Sequence, residues 1–513
     1  MPTRGYLGID AGTQGLTVLF TDESLQVIAV GEARYDMRSG LEAECYEQSP
    51  EDWVAALQAA MNELRSRLPG GEALGEVLAI GISGQMHGEV LADAEAQSLG
   101  PARLWCDSRN EAEGQELTAA FGVKMPKRAT ASRWLWTMRN QAEKARRARH
   151  LTTPAGWISH VLTGQWILGI GDASGMFPID PSTLNYDRHL LGKFSSVVGD
   201  QPVAPLEKLL PTVRKVGEDG GTLNPAGARL LGLAAGIPVA PAEGDQPAAL
   251  AGSLIADTGM VSVSFGTSVC ANSVGDRPFR GVSRGVDHFC AVDGKPINMV
   301  WLRNGTTFMN SVIDMFAGVL GGDRAAGFQA AIPQVLATPP DCGGLLALPF
   351  MDDEPGLDVA RGGTAMLIGL TADNARPGPV VKAALLSTMF NLKLGSEILD
   401  RQGYPRRQLV LSGGLARTPE LSQILADVFE TPVSLLASAA EGTAWGAALM
   451  AKFRHEKIAG SAQSWGDFLS RHAGGDGRRF APHPAAASAY AAVYRRYKQL
   501  VGLQGQLSAA VRG

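Results

Sequence analysis

Apolar and polar residues alternate in short runs at the start of the chain, "YLGIDAGTQGLTVLFTDESLQVIAVGEARY", and the runs break at Gly12, Gly15 and Asp22-Glu23-Ser24. Period-two alternation between turn residues predicts an antiparallel meander. The period then lengthens. In "SPEDWVAALQAAMNELRSRL", Trp53, Leu57, Met61 and Leu64 recur at helical spacing. Ser49 before Pro50, with Asp52 three residues on, predicts a capping box with proline at the first helical position. "GEVLAIGISG" follows as a buried strand ending in glycine. Strand, helix and strand in that order predict an α/β domain. At the other end, Tyr490, Tyr494, Tyr497 and Val501 share one helical face and predict a packing helix over about 484–505.

The meander has an echo. "GIDAGTQGLTVLF" and, near residue 260, "VSVSFGTSVCANSV" are both β-rich runs interrupted by a Gly-Thr turn, Gly12-Thr13 and Gly266-Thr267. Two such units predict duplicated domains facing one another, with a boundary near residue 245. A third glycine turn, Ser412-Gly413-Gly414, follows the strand 408–411, and Pro419 is expected to open the next helix. Backbone amides at such turns bind phosphate or approach a nucleotide closely. At the boundary stands "AEGDQPAALAG", where a strand hands over to a helix at Asp245. Local sequence alone favours a helix cap for Asp245, with a catalytic role, suggested by its loop position, as the lesser alternative. Residues 124–150 are basic, and a solvated helix face is expected there, with Trp134 and Trp136 as packing residues.

Composition narrows the class. A chain of 513 residues exceeds what one core normally serves. With 45% hydrophobic and 19% charged residues it reads as a soluble globular protein. A net charge of −5 gives no reason to expect nucleic-acid or anionic-membrane partners. No apolar run approaches the roughly 18 residues of a membrane span. Five scattered cysteines without C-x-x-C fit reduced thiols, and eight dispersed histidines offer no zinc spacing. A cytoplasmic enzyme is the expectation, and a homodimer is left open.

Seven segments in order resemble the FGGY carbohydrate kinases, within the actin-like ATPase superfamily. "GIDAGTQG" resembles the first phosphate motif, "GISGQMHG" the sugar loop of the family's xylulose-phosphorylating branch, and "LWCDSRN" its W-x-D-x-R motif. "EGDQ" resembles the catalytic-acid motif, "SFGTS" the second phosphate motif, "LSGGLARTPELSQILADVF" the adenosine motif, and "EGTAWGAALMA" the helix after it. The resemblance implies two ribonuclease H-like α/β domains with a cleft between them, 1–245 for sugar and 246–513 for ATP. It implies phosphoryl transfer from ATP to a sugar hydroxyl, D-xylulose to D-xylulose 5-phosphate, with Mg²⁺.

Residue by residue, the resemblance makes Asp245 the base for the attacking hydroxyl. Gln85, Met86, His87, Asp107 and Arg109, with Asp245, become the sugar site. Gly12, Thr13, Gln14, Gly266, Thr267, Ser268, Gly413, Gly414 and Arg417 become the ATP site, and Asp10 the Mg²⁺ ligand. If Pro247 takes the first helical position, Gln246 is the cap and Asp245 stands just outside the helix. Domain closure over the sugar is expected, because excluding water protects ATP from hydrolysis. The chain departs from the family pattern at Thr17, where Lys or Arg is usual. Gln246 and Cys106 each stand where Asn is common, and 346–363 lacks a Glu-Arg-x-Pro segment. Glycerol, ribulose or another polyol therefore stays open as acceptor. A conformational ATPase of the actin or Hsp70 kind would need a peptide-binding or polymer-forming extension. A sugar-responsive regulator would need a helix-turn-helix module, for which the opening strand leaves no room.

Overall fold

The computed structural model describes residues 3–71, 73–435, 442–473 and 477–512; Glu441, which opens "EGTAWGAALMA", lies outside them. The chain forms two main sheets. In the first, β1 (Arg4–Ala11), β2 (Gly15–Asp22) and β3 (Val27–Arg34) make the expected meander. β4 (Glu76–Gly84) and the short β5 (Glu243–Gly244) then add in parallel, giving the order β5-β4-β1-β2-β3.

The second sheet repeats this plan. β6 (Met260–Phe265) and β7 (Val269–Val274) pair antiparallel around the second Gly-Thr turn. β8 (Val286–Cys290) and β9 (Pro296–Leu302) continue the meander on that side. β10 (Gln408–Gly413) and β11 (Val433–Leu435) add in parallel on the other, and β12 (Arg478–Phe480) closes the far edge. The order β9-β7-β6-β10-β11 matches that of the first sheet, so the Gly-Thr echo marks a duplicated ribonuclease H-like unit.

Alternation sorts β1 into two cores. Leu7, Ile9 and Ala11 pack with Trp53, Leu57 and Met61 of α1 (Pro50–Ser66). Tyr6, on the opposite face, packs with α8 (Gly442–Ile458), the helix of the "EGTAWGAALMA" segment. That helix lies directly on the sheet: a Cβ at Gly81 of β4 would stand 1.8 Å from the Ala447 carbonyl oxygen, so only glycine admits the contact.

Between the two sheets runs α4 (Asp245–Gly252). Its Ala248 and Ala251 join the core with Tyr6 and Trp445, and its Leu250 joins Val274, Phe289 and Ile297 of the second sheet. α4 is therefore shared by both halves, and Asp245 stands at the end where they meet. In the second sheet Val261, Val263 and Phe265 face the core with α5 (Thr307–Val319) and α6 (Pro377–Arg401). The C-terminal helix α9 (Pro484–Arg512) runs further than its aromatic stripe indicates, with Tyr490, Tyr494 and Tyr497 buried.

Four local expectations need correction. Ser49 precedes α1 but makes no side-chain cap bond, and Asp52 donates its amide to the Ser49 carbonyl instead. Helix α7 (Leu421–Phe429) starts two residues after Pro419, because a short 3₁₀ turn at 414–417 comes first. Helix α4 starts at Asp245 with Gly244 as cap, so Pro247 is its third residue and Asp245 its first. The basic stretch is not simply solvated. Arg133 of α2 (Thr130–Asn140) is fully buried, and Trp134 with it. Trp136 lies under the guanidinium groups of Arg103 and Arg109, at 4.4 and 5.3 Å.

Candidate functional site

The two sheets enclose a cleft of about 820 Å³. Met86, His87 and Asp245 line it from the first half, and Gly266, Ser268 and Ser412 from the second. The second Gly-Thr turn therefore lines this space, whereas the first borders it only through Thr13, whose hydroxyl accepts the indole N–H of the lining residue Trp105.

Asp10 ends β1. Its carboxylate accepts hydrogen bonds from Ser83 Oγ at 2.7 Å and from Thr443 Oγ1. Burial raises its pKa, and the two hydroxyls pull the other way without overcoming it. Thr17 faces Asp10 across the β1–β2 pair, so the basic residue usual at that position would stand beside this carboxylate. Asp245 is part-exposed to the cleft. Burial pushes its pKa up to about 7 and the charge of Asp10 adds to the shift, while the amides of Gln246 and Met86 oppose it. Asp10 thus raises Asp245, and with no cation paired to either carboxylate among the described residues the two fit a bound divalent ion.

Behind Asp245 lie two further buried acids that the sequence reading passed over. Glu243 accepts the amides of Gly171 and Asp172 at 3.2 and 2.8 Å. Asp172 accepts Thr153 Oγ1 at 2.5 Å. Burial raises the pKa of both, and each is raised further by a neighbouring carboxylate. Glu243 thus fastens β5, which ends one residue before Asp245, to α3 (Ile170–Met176).

That same helix orients His87. The ring nitrogen Nδ1 lies 2.9 Å from the Gly175 carbonyl oxygen, which can only accept, so Nδ1 carries the proton. Burial, then Arg128, depress the His87 pKa to about 3. The ring is therefore neutral, and Nε2 is left as an acceptor for a hydroxyl. Arg133 holds the loop from behind, donating to the carbonyls of His87 at 2.8 Å and of Arg128.

The other expected sugar residues face inward. Gln85 is buried and bridges Gln48 Oε1 at 2.9 Å and Thr13 Oγ1 at 3.4 Å. Asp107 is buried and accepts the Tyr46 amide at 2.9 Å and Arg109 at 2.7 Å, while Arg109 also reaches Glu47 at 2.7 Å. Neither Gln85, Asp107 nor Arg109 lines the cleft. Trp105, from the same "LWCDSRN" segment, does so instead, and its indole N–H donates to Thr13 Oγ1 at 3.0 Å.

Both Gly-Thr turns are braced through their carbonyls. Tyr35 donates to the Gly12 and Gly15 carbonyls, and Gln48 to that of Thr13 at 2.8 Å. Thr306 and Gly305 donate their amides to the Gly266 and Thr267 carbonyls at 2.8 and 3.0 Å. The amides of Gly12, Thr13 and Gln14, and of Thr267 and Ser268, have no partner among the described residues and are free for phosphate oxygens. Beside them Gly413 holds φ 76°, a left-handed conformation that favours glycine. Gly414 opens the 3₁₀ turn, and Arg417 at its end is exposed.

The cleft floor was also missed. Ser262, Ser264, Cys270, Asn272, Met299 and Trp301 are alternate residues of β6, β7 and β9, and all face the cleft. The signal was present in "VSVSF", whose small polar residues alternate with core ones.

Models of the FGGY family of carbohydrate kinases match nearly the whole chain, the N-terminal domain over residues 5–252 and the C-terminal domain over 261–454. The chain is 30% identical to the xylulose kinase of Streptomyces rubiginosus over 457 residues, 87% of each chain. It is 27% identical to that of Haemophilus influenzae, over 87% of this chain and 90% of the relative. Among solved structures, a xylulose kinase from Rhodospirillum rubrum superposes with TM-score 0.81 at 20% identity, covering 98% of this chain and 99% of that one. A Plasmodium falciparum glycerol kinase with ADP gives TM-score 0.78 at 20% identity, covering 97% and 98%. At these identities the structures establish the fold.

Proposed function

This chain belongs to the FGGY family of carbohydrate kinases and is an ATP-dependent sugar kinase, and from that premise we propose that it converts D-xylulose to D-xylulose 5-phosphate. The observation that supports phosphoryl transfer is the meeting, in one cleft, of a part-exposed carboxylate with a pKa raised to about 7, a neutral His87 acceptor and the 266–268 turn, whose Thr267 and Ser268 amides have no partner among the described residues; likeness to xylulose kinases supports the choice of sugar. We assign residues 1–245 to the sugar side and 246–513 to the ATP side, with α8 crossing back onto the first sheet.

Asp245 takes the proton of the attacking hydroxyl. The hydroxyl oxygen bonds to the γ-phosphorus as the bond to the bridging oxygen of ATP breaks, and ADP departs. A base whose pKa lies near the working pH is matched to this task. His87 Nε2 accepts from a second sugar hydroxyl, and Met86 packs below. The amides of Gly12, Thr13, Gln14, Thr267 and Ser268 receive the phosphate oxygens, with Gly413, Gly414 and Arg417 toward the nucleoside. Asp10 holds Mg²⁺, directly or through water; when bound, the ion neutralises phosphate charge that the Thr17 position leaves unmet. Gln85, Asp107 and Arg109 act from behind the sugar loop, fixing its backbone and the first turn.

The test is an ATP-consumption screen over pentuloses, hexuloses, heptuloses and polyols, glycerol and ribulose included. D-xylulose should give the highest kcat/KM. A polyol or hexulose well ahead of it overturns the assignment of substrate and leaves the kinase intact.

A further inference from the structure

One charged cluster in the cleft carries no role in that scheme beyond the effect of Arg128 on the His87 pKa. Lys124 and Arg128 precede α2 on the sugar side, and Asp287 lies on β8, the edge strand of the second sheet. Lys124 Nζ stands 2.7 Å from Asp287 Oδ1, and it donates to the carbonyls of Arg284 at 2.7 Å and Val286 at 3.3 Å. The Arg128 guanidinium pairs with Asp287 Oδ2. All three residues line the cleft, with side chains 20%, 27% and 13% exposed. Burial alone would raise the Asp287 pKa, but Arg128 and Lys124 outweigh it and hold the carboxylate ionised.

The cluster ends a graded series of contacts along β8 and the turn that follows it. At the base, Val292 belongs to the apolar core of Tyr6, Ala248 and Trp445, and its carbonyl accepts the Val216 amide at 2.9 Å. Further out, the Cys290 amide donates to Ser174 Oγ at 2.8 Å. At the lip, the contact is ionic. A hinge motion about the apolar base would break the lip first and leave the core intact. The lip is also tied to the reacting centre. Asp287 pairs in register with Met299, Met299 with Asn272, and Asn272 with Ser262, all four facing the cleft. Asn272 Nδ2 in turn donates to Oε1 of Gln246, the neighbour of Asp245, at 3.4 Å.

We propose that Asp287 is a positioning residue of this kinase: with Lys124 and Arg128 it forms an ionic latch across the cleft lip that holds the polar floor and the 266–268 turn over the bound sugar. This rests on the sugar-kinase reading. With the latch shut, the sugar hydroxyl is the acceptor; with it open, water competes for the phosphoryl group.

The experiment compares Asp287→Asn, Asp287→Glu and the double variant Lys124→Met/Arg128→Met, following sugar phosphate formed and ATP consumed in the presence of D-xylulose. Asp287→Asn and the double variant should each lose about tenfold to a hundredfold in kcat and gain in sugar KM, with ATP KM unchanged. Both should yield less sugar phosphate per ATP consumed than the parent, and Asp287→Glu should restore most of that coupling. Parent-like rate and coupling in both disrupted variants overturn the latch. So does a loss of rate that only tracks a loss of folded protein, with coupling intact. If the parent phosphorylates no sugar or polyol, the kinase reading itself fails, and the two failures are thereby told apart.

Discussion

Replacing Asp245 with asparagine should cost activity and add stability at the same time. The carboxyl has an ordinary value of 3.8 and titrates at about 7 in the folded chain, first because it is buried and second because Asp10 is near. The folded state therefore holds this proton more tightly than the unfolded chain does. That contribution is fully present below pH 3.8 and is lost as the pH rises through about 7. At 1.36 kcal/mol per pH unit, ionising the group in the fold costs on the order of 4 kcal/mol, an upper figure since the side chain is part-exposed to the cleft. Asn carries no charge and avoids that cost. Urea melts of the metal-free proteins should show Asp245→Asn more stable than the parent at pH 8, with the gap closing toward pH 4. Phosphoryl transfer should fall about a hundredfold to ten-thousandfold, the usual worth of a general base, while ATP binding survives. A stability gap that is flat with pH, or that favours the parent at pH 8, refutes the electrostatic account. Near-normal turnover refutes the role.

Other residues give separable outcomes. His87→Ala should raise sugar KM about tenfold, one charge-free hydrogen bond of roughly 1.4 kcal/mol, with ATP KM unchanged; since burial keeps the ring neutral down to about pH 3, no ionisation of His87 should appear in sugar KM near pH 6.5. An unchanged sugar KM removes His87 from the site. Gln85→Leu should act differently, lowering the melting temperature and weakening ATP and sugar together, because its amide ties Thr13 to Gln48. Gly81→Ala should destabilise by about 3 kcal/mol or more in denaturant melts, since the new methyl meets the Ala447 carbonyl of α8. Chelating Mg²⁺ with EDTA should stop transfer, and excess Mg²⁺ should restore it.

The duplicated sheets were legible because alternation and turn chemistry are local. Two Gly-Thr turns between β-rich runs were enough to place β1–β2 and β6–β7, and the apolar stripe from Trp53 to Leu64 placed α1. The starts of α4 and α7 were misplaced because a proline near a helix start does not fix which residue caps it. At the site, a motif shows which loop matters and not which way a side chain turns. Gln85 and His87 are two residues apart in one loop, yet one faces Gln48 and the other the cleft. Arg133 reads as a surface charge on a basic helix, and only packing beneath the loop shows that it holds the His87 carbonyl. Lys124 and Asp287 are far apart in sequence, and nothing local in either segment signals the pair.

In the proposed mechanism Asp245 and the two Gly-Thr turns address one phosphoryl group and one sugar hydroxyl. A crystal structure with D-xylulose and a non-hydrolysable ATP analogue tests it most directly. The account predicts a sugar hydroxyl within about 2.6–3.2 Å of the Asp245 carboxylate, a second hydroxyl on His87 Nε2, and γ-phosphate oxygens on the amides of both turns. A carboxylate turned away from the sugar, or an analogue whose phosphates touch neither turn, would contradict it.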